Sequence, residues 1–190
     1  MTSQRAVAVI GVDGIGREWA RICAAAGLHV RLFDPTPDIE GVAQGIREAA
    51  AVIDAGRVQP TAGLDDAVIG ADVVFECGPD RAGAKQQALV DIALAAPAGS
   101  LLVTAAPEPV ADSSGGAEVA ALARGLDDIA AARLVAVWLA PDATAAEVIA
   151  GRGSSSESVE RALALCRAVG LRVRPADRDL EAERTQTAAR

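Results

Sequence analysis

Aromatic side chains are nearly absent: two Trp, two Phe and no Tyr make up 2% of 190 residues. Recognition of bases or sugars by aromatic stacking therefore has little to work with. Basic residues are also in short supply, with 18 Lys and Arg against 26 Asp and Glu for a formal charge of −8. No basic cluster is long enough to track a nucleic-acid backbone or an anionic membrane surface, so neither is expected as a partner. The single histidine, with three cysteines that share no CxxC spacing, makes a weak case for zinc. No apolar run reaches the ~18 residues of a membrane span, and no apolar segment follows a basic N-terminal stretch, which predicts a cytoplasmic protein.

What is abundant is aliphatic. Hydrophobic residues are 51% of the chain, and with so few aromatics the core must be built from Ala, Val, Ile and Leu. That composition suits helices packed closely on a buried parallel sheet, whose strands read as nearly unbroken aliphatic runs. The length suits one domain, placed at residues 1–175, followed by a charged, aperiodic tail at 176–190 that is expected to be flexible. Cys23 and Cys166 fall on apolar helical faces and are expected to be buried thiols.

Along the chain, strands alternate with helical periodicity. Ala6 to Ile10 reads as a strand, Ile15, Trp19, Ile22, Cys23 and Ala26 recur at helical spacing up to Gly27, and Val30 to Phe33 is a second strand ending at Asp34-Pro35. Ile39 to Ile53 carries a helical pattern that ends near Gly56, Pro60 to Gly63 reads as loop, and Asp65 to Gly70 as a short helix. Strands are expected at Val73 to Glu76, Leu101 to Thr104, Leu134 to Leu139, Glu147 to Ala150 and Leu171 to Arg174. Helices are expected at about Ala82 to Ala95, Ala117 to Gly125 and Val159 to Val169, the last capped by Ser156; the Ser, Gly and Pro-rich Pro107 to Gly116 is expected to be a surface loop. Repeated alternation predicts an α/β fold: a doubly wound, mostly parallel sheet of six or more strands, Rossmann-type, with helices on both faces.

Between the first strand and its helix lies Gly11-Val12-Asp13-Gly14-Ile15-Gly16. The spacing is that of a phosphate-cradling dinucleotide loop, G-x-G-x-x-G, with Asp13 in place of the middle glycine. That glycine lets backbone approach the pyrophosphate, which rests on the positive end of the following helix. A carboxylate occupies the space and repels phosphate. Asp34, closing the second strand, suits ribose hydroxyls and repels a 2′-phosphate, which favours NAD over NADP. The lone His29 precedes the second strand, at the edge opposite the one where open parallel sheets bind ligands.

The segments VAVIGVDGIGREWARICAAAGLHVRLFDP, ADVVFECGPDRAGAKQQAL, AEVIAG and SVERALALCRAVGLRV resemble, in this order, the N-terminal NAD-binding domain of 3-hydroxyacyl-CoA dehydrogenases, over roughly residues 6–174. The resemblance implies that Gly11, Asp13, Gly14, Ile15, Gly16, Asp34, Asp80 and Lys85 lie on the NAD side of the site. It also implies departures. The family's catalytic histidine, on a His-Phe-Phe-Asn-Pro run, falls on Val137 of Val137-Trp138-Leu139-Ala140-Pro141, and valine cannot exchange a proton. Glu147 matches the glutamate that supports that histidine. The family's Ser-Asn-Thr-Ser-Ser segment becomes Thr104-Ala105-Ala106-Pro107-Glu108, and the segment between Asp34 and Asp72 is too short for the second arm of a helical hairpin that helps to hold CoA. The family's helical second domain is not matched in this sequence, which implies that either another protein chain closes the cleft or efficient catalysis is not the function.

Three functions stay open on the sequence. One is an NAD(H)-binding protein with little or no independent dehydrogenase activity. Another is an active NAD-dependent oxidoreductase on a 3-hydroxyacyl or similar secondary alcohol, using a substitute base such as Glu147, Glu108 or Asp142, or a partner chain. The third is a non-catalytic protein-interaction module.

Overall fold

Buried aliphatic runs separated by helices assemble into one eight-stranded sheet in a computed structural model that describes residues 6–35, 38–51, 55–78, 80–106 and 114–175. The elements are β1 (Ala6–Ile10), α1 (Gly14–Ala25), β2 (His29–Phe33), α2 (Ile39–Ala49), β3 (Val58–Pro60), α3 (Leu64–Val68), β4 (Val73–Glu76), α4 (Ala82–Ala95), β5 (Leu101–Ala106), α5 (Ser114–Leu122), α6 (Asp128–Ala132), β6 (Leu134–Leu139), β7 (Ala145–Ala150), α7 (Ser156–Ala168) and β8 (Arg172–Pro175). The strand order is β3-β2-β1-β4-β5-β6-β7-β8. β1 to β6 run parallel, β7 is antiparallel to β6, and β8 is parallel to β7.

Alternation of side chains along the strands divides the core in two. On one face Val7, Val9, Phe75, Val103, Val135 and Val137 pack under α1, α2 and α7 through Trp19, Ile46 and Leu165. On the other, Ala8, Val74, Leu102, Leu134, Ala136 and Ile149 pack under α3, α4 and α5 through Val68, Leu89 and Val119. Trp19 stacks on Phe75 with ring centroids 4.6 Å apart, tying α1 to β4. Cys23 and Cys166 are buried as expected, and so is Cys77.

The doubly wound, mostly parallel sheet with helices on both faces is the expected fold, and several boundaries differ from the sequence reading. Val58 to Pro60 is a strand where Pro60 to Gly63 was expected to be loop. β3 pairs only with β2 at the sheet edge, so the missing N–H of Pro60 leaves no ladder bond broken. Ser114 to Gly116 opens α5 instead of closing a loop; residues 107–113, including the candidate base Glu108, lie outside the described residues. α6 was not foreseen: it is a single turn capped by Asp127, whose side chain accepts from Ala130 N. The cap of α7 is Ser155, not Ser156, its Oγ accepting from Ser158 N at 3.1 Å. Pro175 ends β8, and the proposed tail at 176–190 lies outside the described residues.

Candidate functional site

The strand order reverses between β1 and β4, which opens a crevice at the carboxyl ends of the parallel strands where such sheets bind ligands. β1 delivers the glycine loop to this crevice. Gly11 has φ +88°, and a Cβ there would stand 2.8 Å from the Cys77 carbonyl and Gly78 N. At Gly16 a Cβ would stand 2.0 Å from Gly11 O. Both glycines are therefore required for the turn to fold against itself and against the end of β4. Gly14 has open space around it, with nothing within 4 Å of an added Cβ, but its φ of +34° is a left-handed conformation that strains any residue bearing a side chain. Ile15, in the first turn of α1, packs against the core.

Asp13 takes the N-cap position of α1 in extended conformation, but its side chain caps nothing and is exposed. The loop keeps its tight glycine turn with a helix N-terminus behind it, and its middle position carries an exposed carboxylate. Asp34 stands at the end of β2 and accepts a hydrogen bond from Val12 N through Oδ2 at 2.9 Å. It thus ties the loop to the end of the neighbouring strand. His29 begins β2, opposite Ala6, at the far edge from this crevice as expected.

Beside the loop lies a buried polar cluster that the sequence reading did not assemble. Glu76, 1% exposed, ends β4 directly opposite Thr104 of β5. Its Oε2 accepts from Thr104 Oγ1 at 2.7 Å and from Lys85 Nζ at 3.0 Å, and its Oε1 accepts from Gly78 N at 2.9 Å. Lys85 reaches in from the first turn of α4, is buried at 6% exposure, and also lies 3.4 Å from Ala105 O. It is not the exposed helical lysine that sequence alone would equally allow. Asp80 is exposed and lines, with Lys85, Thr104 and Glu118, a cavity of about 30 Å³ between α4, α5 and the sheet, room for a water molecule. The overlooked signal was an acid ending the otherwise apolar strand Val73-Val74-Phe75-Glu76. Beneath the loop, burial raises the Cys77 thiol pKa above its ordinary value, which makes it a poor nucleophile.

Glu147 and Val137 are not brought together. Glu147 lies opposite Trp138 in the β6–β7 ladder, whereas Val137 lies opposite Val148. Adjacent residues of a strand point to opposite faces, so Glu147 and Val137 occupy different sides of the sheet. Both are buried, at 3% and 1% exposure. Asp142, in the β6–β7 turn, binds Thr144 through its carboxylate. Among the described residues no group of three or more His, Cys, Asp or Glu could hold a metal, and no helix is long and apolar enough to cross a membrane.

A glycine turn feeding a helix at the reversal of a parallel sheet, with a carboxylate ending the next strand, defines a Rossmann-type dinucleotide-binding fold. Within that class, the chain belongs to the family described as 3-hydroxyacyl-CoA dehydrogenase, NAD binding domain, whose pattern matches residues 6–176. No curated protein sequence is similar enough to match it. Among solved structures, 3-hydroxybutyryl-CoA dehydrogenase from Escherichia coli superposes with a TM-score of 0.76 at 20% identity, over 91% of this chain and 38% of that one. (S)-3-hydroxybutyryl-CoA dehydrogenase from Ralstonia eutropha gives 0.71 at 18% identity, over 91% and 63%. An NAD+-dependent dismutase, 5-formyl-3-hydroxy-2-methylpyridine 4-carboxylic acid 5-dehydrogenase, gives 0.73 at 25% identity, over 92% and 58%. The chain thus spans less than two thirds of the length of each of these relatives.

Proposed function

We propose that this chain binds NAD(H) at the glycine loop and has little or no dehydrogenase activity of its own. The carrying observation is a contrast within one site. The turn at Gly11 and Gly16 is intact and tied to Asp34, while the position that the resemblance assigns to a proton-transferring histidine is a buried valine facing away from Glu147. Gly11, Gly14 and Gly16 would cradle the pyrophosphate, and Asp34 would take the adenosine ribose. When bound, the nicotinamide would supply a hydride acceptor. Hydride transfer from an alcohol also needs a base for the hydroxyl proton, and the Val137 side chain offers none.

A second reading has one observation in its favour. Glu147 is a carboxylate buried at 3% exposure, and a carboxylate is a side chain that can accept a hydroxyl proton. On that reading the chain oxidises a 3-hydroxyacyl or similar secondary alcohol with Glu147 as substitute base.

Calorimetric titration with NAD, NADH, NADP and CoA, followed by an NADH assay on 3-hydroxybutyryl-CoA, separates the two. Binding of NAD in preference to NADP, weakened by Asp34→Asn and unaccompanied by turnover, is the expected result. NADH production that disappears in Glu147→Gln would establish the second reading instead. Absence of nucleotide binding at millimolar concentration rejects both and leaves a protein-interaction module.

A further inference from the structure

Asp13 places a negative charge where the pyrophosphate should approach, so NAD binding at this loop needs a compensating cation. We propose that Arg17, one turn into α1, is that cation and grips the pyrophosphate with its terminal guanidinium nitrogens; the assignment rests on the NAD-binding reading above.

The side chain of Arg17, though exposed, folds back along the loop, and its Nε donates to Val12 O at 2.8 Å. One nitrogen is thereby fixed to the loop backbone. The two terminal nitrogens have no protein hydrogen bond or ion pair among the described residues. Asp13 lies four positions earlier, one helical turn away, yet no ion pair joins the two among the described residues. The other arginines of α1 and α2 are already engaged: Arg21 with Glu18, and Arg47 with Glu40 and Val58 O. Arg17 also lines, with Gly14, a cavity of about 300 Å³ between α1 and α2, so the space beside the loop is open. A guanidinium held through Nε presents its remaining N–H groups as a fork, the geometry that binds phosphate oxygens bidentately. Its charge adds to the positive end of α1, which Asp13 opposes.

NAD titrations of the wild-type protein, Arg17→Ala, Arg17→Lys, Asp13→Gly and the Arg17→Ala/Asp13→Gly double variant, each at low and high salt, test the assignment. Arg17→Ala is expected to weaken NAD binding about tenfold or more and to flatten its salt dependence, as loss of a charged hydrogen-bonding partner should. Arg17→Lys is expected to fall between, retaining the charge without the fork. In the Asp13→Gly background the loss from Arg17→Ala is expected to shrink, because the repulsion it offsets has gone. Unchanged affinity in Arg17→Ala, or a loss that leaves the salt dependence as in wild type, overturns the assignment. Failure of the wild-type protein itself to bind NAD refutes the nucleotide-binding reading, and the role of Arg17 with it.

Discussion

Gly16 has no room for a side chain, because the atom that alanine would add falls 2.0 Å from a backbone oxygen that cannot swing aside. Gly16→Ala is therefore expected to destabilise the protein by about 3 kcal/mol, at the upper end for overpacking, as read from urea unfolding. Gly14→Ala meets no such contact, but the φ of +34° there still leaves an alanine strained. At the far end of the chemistry, hydrogen bonds from Thr144 hold the Asp142 carboxyl below its ordinary range. A lowered pKa means that its stabilising contribution is present above the unfolded value and fades as pH falls through the folded one. Thr144→Val is expected to move the Asp142 titration upward toward the ordinary carboxylate range, followed by NMR. Gly11, Gly16 and Asp34 were legible in the sequence because strand, turn and helix lie consecutively, and the local pattern carries their geometry.

The β6–β7 hairpin shows how much an element's register decides. Glu147 and Val137 are only ten positions apart, but the ladder pairs Glu147 with Trp138 and puts Val137 on the other face. Val137→His is accordingly expected to leave the protein without dehydrogenase activity, in an NADH assay, and to destabilise it by burying imidazole in an aliphatic core. The resemblance supplied both positions, but a sequence motif does not encode which face of a strand each occupies. The Glu76–Lys85–Thr104 cluster joins two strands and a helix. Lys85→Met leaves the Glu76 carboxylate buried without its cation and is expected to cost about 3–5 kcal/mol in denaturant unfolding. Adding Glu76→Gln should recover part of that loss. No spacing rule connects Thr104 to Glu76, which are 28 residues apart and meet only because β4 and β5 pair.

At the scale of the molecule, both faces of one sheet are covered by helices, and all three thiols are buried. Burial pushes Cys23 and Cys166 up to about 12, and raises Cys77 as well. Alkylation of the native protein at neutral pH is expected to be slow at all three and to accelerate only with unfolding, in step with the loss of Trp19 burial seen by fluorescence. A thiol that reacts before the fluorescence changes would reveal a local opening.

The amino-acid sequence by itself determined the alternation of strands and helices, the aliphatic core, the glycine loop with its Asp13 departure, and the acid at Asp34. These follow from hydrophobic period and turn chemistry within a few tens of residues. Only the tertiary structure decided that β7 runs antiparallel to β6, that Glu147 faces away from Val137, that Lys85 is buried against Glu76 and Thr104, and that Arg17 folds back onto the loop. Those outcomes depend on which segments pair, in what register, and what space the packed helices leave; no local pattern of residues carries that information.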